Sequence, residues 1–544
     1  MHLSLSFSAL LAGVLVAVDA APLAQPAKPR FVSMPLTRME ARGDAHPQIM
    51  LQQHINRASK RLARMTGREA PTDAMMLEAL RKRVLAVEGT EGLERRFNRA
   101  GVPSQSDKRF NRTGVNKNER RHRKGKKAKA KAGAAGAAAG GAAAAGAAGA
   151  AAAAAAGAAG AGAAGAGAAG AGAAAAGNGT AAAAGGASAL GGPDSAQGVT
   201  AANTPTTANS LGLNIESQDV GFLATVQLGT PPANYLILMD SGSADFWVAS
   251  EACQSSAGGD CGQHQTLGSQ SSSSFVASNN PFQVTYGTGA VQGAIITDNV
   301  AIAGLQLKAH TFGVTTEETP DFADDSVPFD GLMGLAKSAL SEQKTPTPVE
   351  SLASQGLIAD AITAYKIPRL ADNKNDGEIT FGAPDPSKFD AATLTTVPNV
   401  NAQGFWEAAM DAVTVDGQDA GLAGRTSILD TGTTLIVAPV DDATAVHNLI
   451  TGSKTDGQGQ FTIPCTFNQT VALTFGKTVF AIDPRDMAIQ PVDPNDPTGD
   501  CVSGISGGSF GTSNTEWLVG DVFLKNAYYI TDVGKNEISL AKLV

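Results

Sequence analysis

The sequence is poor in cysteine and histidine, and beyond its first eighteen residues it has no long apolar run. Its four cysteines, Cys253, Cys261, Cys465 and Cys501, form no CxxC pair and have no paired histidines beside them. That argues against a zinc site, and no metal or other cofactor is expected. The last histidine is His447. Gly504-Ile-Ser506-Gly-Gly508 fits the G-x-S-x-G pattern, but it lacks the later histidine that a serine nucleophile needs in that chain order. No segment after Val18 is long and apolar enough for a membrane span, and the last residues, Asn536–Val544, are not a hydrophobic anchor signal. Positive charge is scarce in the back of the chain. Residues 201–544 carry 14 Lys and Arg against 38 Asp and Glu, whereas residues 1–200 carry 27 against 12. The basic part has no nucleic-acid motif, so nucleic acid is not an expected partner. Opposite charge on the two parts means that they attract each other.

Residues 1–20 read as a signal peptide: Leu3–Val18 is an apolar core, and Val18-Asp19-Ala20 is a small-residue cleavage site. A secreted protein is expected, with the vacuole as the lesser alternative. In an oxidising compartment four cysteines favour two disulfides. Three pairings are open, and the order along the chain suggests local closure, Cys253 with Cys261 and Cys465 with Cys501. Asn111, Asn178 and Asn468 begin N-x-S/T glycosylation sequences.

Residues 21–131 form a basic, helix-forming segment. Leu51, Ile55, Ala58, Leu62 and Met65 recur at helical spacing; Met76, Leu80 and Val84 form a second stripe that Gly89 closes. These helices are too small to build a core alone and suit docking on the acidic part. Dibasic pairs stand at Lys60-Arg61, Arg95-Arg96, Lys108-Arg109 and Arg120-Arg121, each a candidate maturation point. Residues 132–210 read as a low-complexity linker, purely Ala and Gly from Ala132 to Gly177 and Ser/Thr/Pro-rich after it. Frequent glycine opposes helix there, and nothing sets a packing register. From about residue 211 short runs of Val, Ile, Thr and Leu alternate with Gly, Asn, Asp and Pro turns, as in a mainly β structure long enough for two lobes, 211–382 and 383–544. Leu223–Leu228 and Tyr235–Met239 read as a hairpin. Thr347–Gln355 and Asp441–Ile450 read as short helices.

Two stretches in this β region share one pattern. Leu236-Ile-Leu-Met-Asp240-Ser241-Gly242-Ser243 and Ser427-Ile-Leu-Asp430-Thr431-Gly432-Thr433 each run an apolar strand into an acid, a hydroxyl, a glycine and a second hydroxyl. One Asp-Ser-Gly commonly marks a turn; two copies in this context can set two carboxylates side by side. Such a pair cannot easily lose both protons, so it holds one across an acidic range. One carboxylate then takes a proton from water while the other, protonated, polarises a carbonyl. Glycine lets backbone approach closely. The hydroxyls of Ser241 and Thr431 can bond across to the opposite loop, and those of Ser243 and Thr433 can bond the neighbouring carboxylate.

Residues from about 215 to 544 resemble a pepsin-like aspartic peptidase, most nearly the secreted fungal type. The resemblance rests on Asp240-Ser-Gly-Ser-Ala-Asp-Phe-Trp247, Tyr286-Gly-Thr-Gly289, Phe329-Asp-Gly-Leu-Met-Gly-Leu335, Gly404-Phe-Trp-Glu407, Asp430-Thr-Gly-Thr433, Cys501-Val-Ser-Gly504 and Trp517-Leu-Val-Gly-Asp-Val-Phe-Leu524, in that order. It implies an all-β, bilobal fold with the cleft between two lobes, preceded by a partly helical prosegment. By resemblance Asp240 and Asp430 are the catalytic dyad of an endopeptidase acting on proteins or peptides at acid pH. Tyr286 covers the substrate with its hydroxyl held by the indole of Trp247; Gly287, Thr288, Gly432 and Thr433 contact substrate, and Phe405 lines the cleft or belongs to the core. Ser241, Gly242, Ser243 and Thr431 support the site. Members of this family are made as zymogens with a basic prosegment in an acidic cleft, so the chain's own propeptide is an expected partner; a monomer is expected.

Three departures stand out, one being that a small disulfide common in the second lobe of animal members has no cysteines here. Ser241 replaces the usual threonine, which retains the hydroxyl and predicts a looser loop. The Ala/Gly run is not a feature of the family. The alternative reading is a pepsin-fold binding or inhibitor protein without catalysis; such proteins usually lose a catalytic aspartate or the flap tyrosine, and this chain keeps all three.

Overall fold

The computed structural model describes residues 46–65, 71–97, 198–508 except 288 and 458, and 515–544. The expected signal peptide, the Ala/Gly run, Asn111, Asn178, Thr288 and the dibasic pairs at 108–109 and 120–121 lie outside the described residues. The described residues resume at Gly198, inside the stretch 132–210 read as linker. Val199–Thr200 and Ser210–Gly212 are paired strands inside the stretch read as linker, because backbone partners on Asn214–Glu216 and Glu378–Phe381 compensate for their weak side-chain pattern.

The fold is all-β and bilobal. In the first lobe a nine-stranded sheet carries the strand Ala233–Asp240. The hairpin read at 223–239 lies within it, Gly221–Leu228 against Ala233–Asp240 with Leu228 opposite Ala233. The second lobe has a five-stranded sheet and two of four strands. A six-stranded sheet takes Ser210–Gly212, Ile362–Lys366 and Glu378–Phe381 from the first half, and Thr395–Pro398, Tyr528–Asp532 and Glu537–Ala541 from the second. It joins the lobes.

One local topology occurs twice. Gly331–Gly334 runs parallel to Ala233–Asp240 and antiparallel to Phe246–Ser255, so it is inserted between the strands that enter and leave the Asp240 loop. Glu516–Val519 does the same between Arg425–Leu429 and Ile436–Pro439 around Asp430. Each insertion forces the Asp loop to bridge two strands that are not neighbours, which lifts it out of the sheet. Glycine is required where the inserted chain crosses the loop: a β-carbon on Gly334 would collide with Ala244 and Asp245 backbone, and one on Gly520 with Thr433 backbone. The motifs Phe329–Leu335 and Trp517–Leu524 are these insertions.

Trp247, Trp406 and Trp517 are fully buried with their N–H groups satisfied, on Tyr286 Oη, Leu335 O and Asp442 Oδ2. The disulfides are Cys253–Cys261 and Cys465–Cys501. The two short helices expected from the sequence are present as Pro348–Ser354, entered where Thr347 N–H donates to Glu350, and Val440–His447. Among the described residues no helix is long and apolar enough to cross a membrane.

Two helices precede the lobes, α1 (Pro47–Met65) and α2 (Asp73–Phe97). Gly89 leaves helical geometry with φ 68°, as its position in the stripe predicts, but the helix resumes beyond it to Phe97. The α1 stripe is buried: Leu51, Ile55 and Ala58 join the main hydrophobic core. Asn56 Nδ2 donates to Met76 O at 3.0 Å and ties α2 to α1.

Candidate active site

Asp240 and Asp430 sit at the ends of mirrored strands, both with no solvent exposure. Their loops grip each other. Ser241 N–H donates to Thr431 Oγ1 at 2.9 Å and Thr431 N–H donates to Ser241 Oγ at 3.0 Å. Each hydroxyl passes its own proton across, Ser241 Oγ to Leu429 O and Thr431 Oγ1 to Met239 O, at 3.1 and 2.8 Å. Four bonds close a two-fold lattice beneath the carboxylates. Ser241 is as buried as Thr431 and makes the same kind of bonds, so the missing methyl does not open the grip. Replacing Thr431 by valine keeps the shape and strands Ser241 N–H and Met239 O in the interior. We expect a loss of about 3 kcal/mol of stability, since each buried orphan costs about 1–3 kcal/mol, read from the midpoint of urea unfolding.

The carboxylates are held alike. Gly242 N–H donates to Asp240 Oδ1 and Gly432 N–H to Asp430 Oδ1, both at 2.9 Å. Ser243 Oγ donates to Asp240 Oδ2 and Thr433 Oγ1 to Asp430 Oδ2, both at 2.6 Å. A β-carbon on Gly242 would collide with the Asp430 carboxylate, and one on Gly432 with that of Asp240. The two glycines are therefore what allows the two acids to approach. Burial, reinforced by the Asp240 charge and opposed by Arg61, pushes Asp430 up to about 6.

Arg61 of α1 lies between the two acids. Its Nη2 donates to Asp240 Oδ1 in a short contact and to Asp430 Oδ1 at 2.8 Å, and its Nε lies 2.6 Å from Asp430 Oδ2. Burial works against the guanidinium charge, and the two carboxylates outweigh it and raise the Arg61 pKa. One turn earlier on the same face, Arg57 lies beneath the hairpin tip: its carbonyl occupies the place of a β-carbon on Gly287. Two further acids face this basic stretch. Burial pushes Glu216 up to about 7, with Arg57 opposing; burial also raises Asp321, with Arg57 and Lys60 opposing.

The hairpin itself is Val276–Thr285 with Ala290–Ile302, closed by Tyr286 N–H on Gly289 O at 2.6 Å. Trp247 Nε1 donates to Tyr286 Oη at 2.7 Å, and Phe322 packs edge-on against both rings. Trp247→Phe removes that donor while leaving the ring packed. A roughly fivefold fall in kcat/KM, mostly in KM, is expected from a looser hairpin, one neutral hydrogen bond being worth about 1 kcal/mol; steady-state peptide cleavage reads it. Phe405 is buried in the same core cluster as the α1 stripe.

Two residues at the site escaped the sequence reading. Arg61 stood in view only as half of a dibasic pair. Asp521, after Gly520, is wholly buried with neither carboxylate oxygen hydrogen-bonded; burial holds its pKa well above the usual range, Lys525 opposing and Asp430 reinforcing. Its only sequence signal was its place in the Trp517–Leu524 motif. Ser506, by contrast, sits inside the strand Ile505–Gly508, and His447 Nε2 is 2.9 Å from Ser503 Oγ instead.

Two Asp-(Ser/Thr)-Gly loops, locked together between two β lobes and facing a hairpin, define a paired-carboxylate site. The chain belongs to the eukaryotic aspartyl protease family, whose description matches residues 221–543. It is similar to a probable aspartic-type endopeptidase CTSD of Trichophyton verrucosum (strain HKI 0517), 35% identical over 341 residues, which are 62% of this chain and 64% of that protein. The chain thus spans under two thirds of that relative's length. It is also similar to the aspartic-type endopeptidase ctsD of Aspergillus fumigatus, 34% identical over 63% of this chain and 70% of the relative, and to cathepsin D of Dictyostelium discoideum, 30% identical over 60% and 84%.

Proposed function

We propose that this chain is an aspartic endopeptidase made with its own inhibitor in the cleft. The observation that carries the reading is the pair of mirrored carboxylates, buried and cross-braced, with Arg61 between them. With Arg61 gone, a water takes its place between Asp240 and Asp430. The pair holds one proton, because two adjacent carboxylates resist full ionisation. The ionised member accepts a proton from water as its oxygen adds to the peptide carbonyl carbon. The protonated member gives its proton to the carbonyl oxygen. The resulting diol collapses as the amide nitrogen gains a proton and the C–N bond breaks. Ser243 and Thr433 steady the outer oxygens, and Tyr286 closes over the substrate with Gly287 and Thr288 at its backbone.

The prosegment works through the same acids. Arg61 lowers the Asp430 pKa, so by reciprocity a proton on Asp430 weakens the hold on Arg61. That loss sets in as pH falls through about 6. The basic α1 against Glu216 and Asp321 adds attraction of the same sign, which fades in acid.

The remaining assignments follow from this reading. The boundaries are those of a preproprotein, with the signal at 1–20, the propeptide at 21–131 and lobes meeting near 382. The protein is secreted or vacuolar and monomeric, and Asn468, the N-x-S/T asparagine that remains after maturation, is exposed. Apolar side chains flank the cut bond, in keeping with Tyr286, Trp247 and Phe405. Cleavage of denatured protein at about pH 3–5, blocked by a transition-state peptide inhibitor, tests the activity; inhibitor-resistant cleavage would overturn it.

A further inference from the structure

Two acids outside the dyad face the part of α1 that passes the hairpin tip. Asp321 lies in the short helix Pro320–Ala323, exposed at the rim of the cleft. Its neighbour Phe322 packs edge-on against Tyr286 and Trp247, and Ala290 N–H donates to Thr319 Oγ1 at 3.0 Å, so this helix is fastened to the hairpin. A β-carbon on Gly289 would lie 3.2 Å from that of Asp321. Glu216, partly buried, ends the strand Asn214–Glu216 and is paired with Gly221. A β-carbon on Gly221 would lie 2.7 Å from Glu216 Oε2, so glycine at 221 is what leaves room for this carboxylate.

The chain itself places cations here. Arg57 acts on both acids, and Lys60 acts on Asp321 as well. The Arg57 carbonyl and the Arg61 β-carbon both crowd Gly287 at the hairpin tip. Arg61 fills the place between Asp240 and Asp430, and Arg57 is one helical turn away, about 6 Å along the axis. An extended peptide covers that distance in about two residues. The two acids therefore lie beyond the positions next to the cut bond, where apolar side chains are expected.

We propose that Glu216 and Asp321 form a cation subsite of the cleft, which takes a lysine or arginine side chain of the peptide substrate about two residues from the cut bond. This rests on the endopeptidase reading and adds a substrate class to it. Once α1 has left, the substrate takes its place before the two carboxylates. A basic side chain then meets opposite charge, an apolar one leaves the carboxylates unpaired, and an acidic one is repelled, so attraction and rejection both contribute to the choice. Burial raises both acids, Glu216 to about 7, and Arg57 opposes the rise in each. A substrate cation in the place of Arg57 likewise favours the ionised forms, so the preference is strongest at the upper end of the active pH range and is lost as pH falls.

The test gives acid-released enzyme a set of fluorogenic peptides with one cleavable bond between two phenylalanines. Lysine, norleucine or glutamate is placed in turn at each further position on either side of that bond. At one position kcat/KM for lysine should exceed that for norleucine by about tenfold at pH 5.5, with glutamate the poorest, and the excess should fall below about threefold at pH 3.5. Asp321→Asn and Glu216→Gln should each lower the ratio, and the double variant should bring it to about one. The ratio is taken within each variant, so differences in the amount of folded enzyme cancel. A lysine preference at no position, or one that the double variant keeps, would overturn the subsite, while cleavage of the norleucine peptides would leave the endopeptidase reading standing. Cleavage of none of the peptides would overturn both.

Discussion

The Arg61→Gln chain should show peptide cleavage at pH 6.5, where the parent stays closed. Arg61 bonds both Asp240 and Asp430. Removing one member of a buried charge group costs about 3–5 kcal/mol, and 3 kcal/mol is already more than a hundredfold in the ratio of closed to open cleft. The apolar stripe and the Arg83–Asp456 pair remain, so the change reads as a shift in release and not as loss of docking. The pH at which half of the chain opens should rise by at least one unit. The sign follows from the charges: without the guanidinium Asp430 is no longer held down, keeps its proton to higher pH, and has no cation to hold. Arg61→Lys should fall between parent and Gln, since it keeps the charge and loses the fork that spans both acids. A release profile superimposable on the parent's would remove Arg61 from the account.

The second large effect is expected at the dyad. In acid-released enzyme, Asp240→Asn and Asp430→Asn should each lower kcat by about 10²–10⁴, the scale of general acid–base catalysis. KM should change little, because the amide keeps the shape and the Gly242 and Ser243 or Gly432 and Thr433 contacts hold the position. Asparagine cannot take the proton from water and cannot carry the shared one. The same Asp240→Asn change should also weaken the hold on Arg61, so the substituted full chain ought to lose its prosegment at higher pH while gaining no activity. Release without catalysis distinguishes a lost base from a misfolded cleft.

Much of this was legible in the sequence because it depends on local pattern. The two apolar-Asp-(Ser/Thr)-Gly stretches repeat, and hydroxyls at 241, 243, 431 and 433 stand where short-range geometry puts them on a carboxylate or across to the partner loop. The α1 stripe at 51, 55 and 58 is likewise a periodic signal. What could not be read depends on long-range pairing. Arg61 is one of many basic residues before position 132, and nothing near it says that its helix enters the cleft; only docking against Asp240, far along the chain, singles it out. Ser210–Gly212 lies in Ser/Thr-rich sequence with little strand preference and is a strand only because Glu378–Phe381 offers an open edge. Asp521 is one acid within the Trp517–Leu524 motif until the fold removes water from both of its oxygens.

The most direct measurement combines the two substitutions. Peptide cleavage at pH 6.5 by the Arg61→Gln chain is compared with that by the Arg61→Gln/Asp240→Asn chain, with both chains checked for the same unfolding midpoint. The account predicts that the first chain cuts and that the second is slower by at least about a hundredfold. Equal cleavage by the two would contradict it, since peptide hydrolysis would then proceed without the Asp240–Asp430 pair.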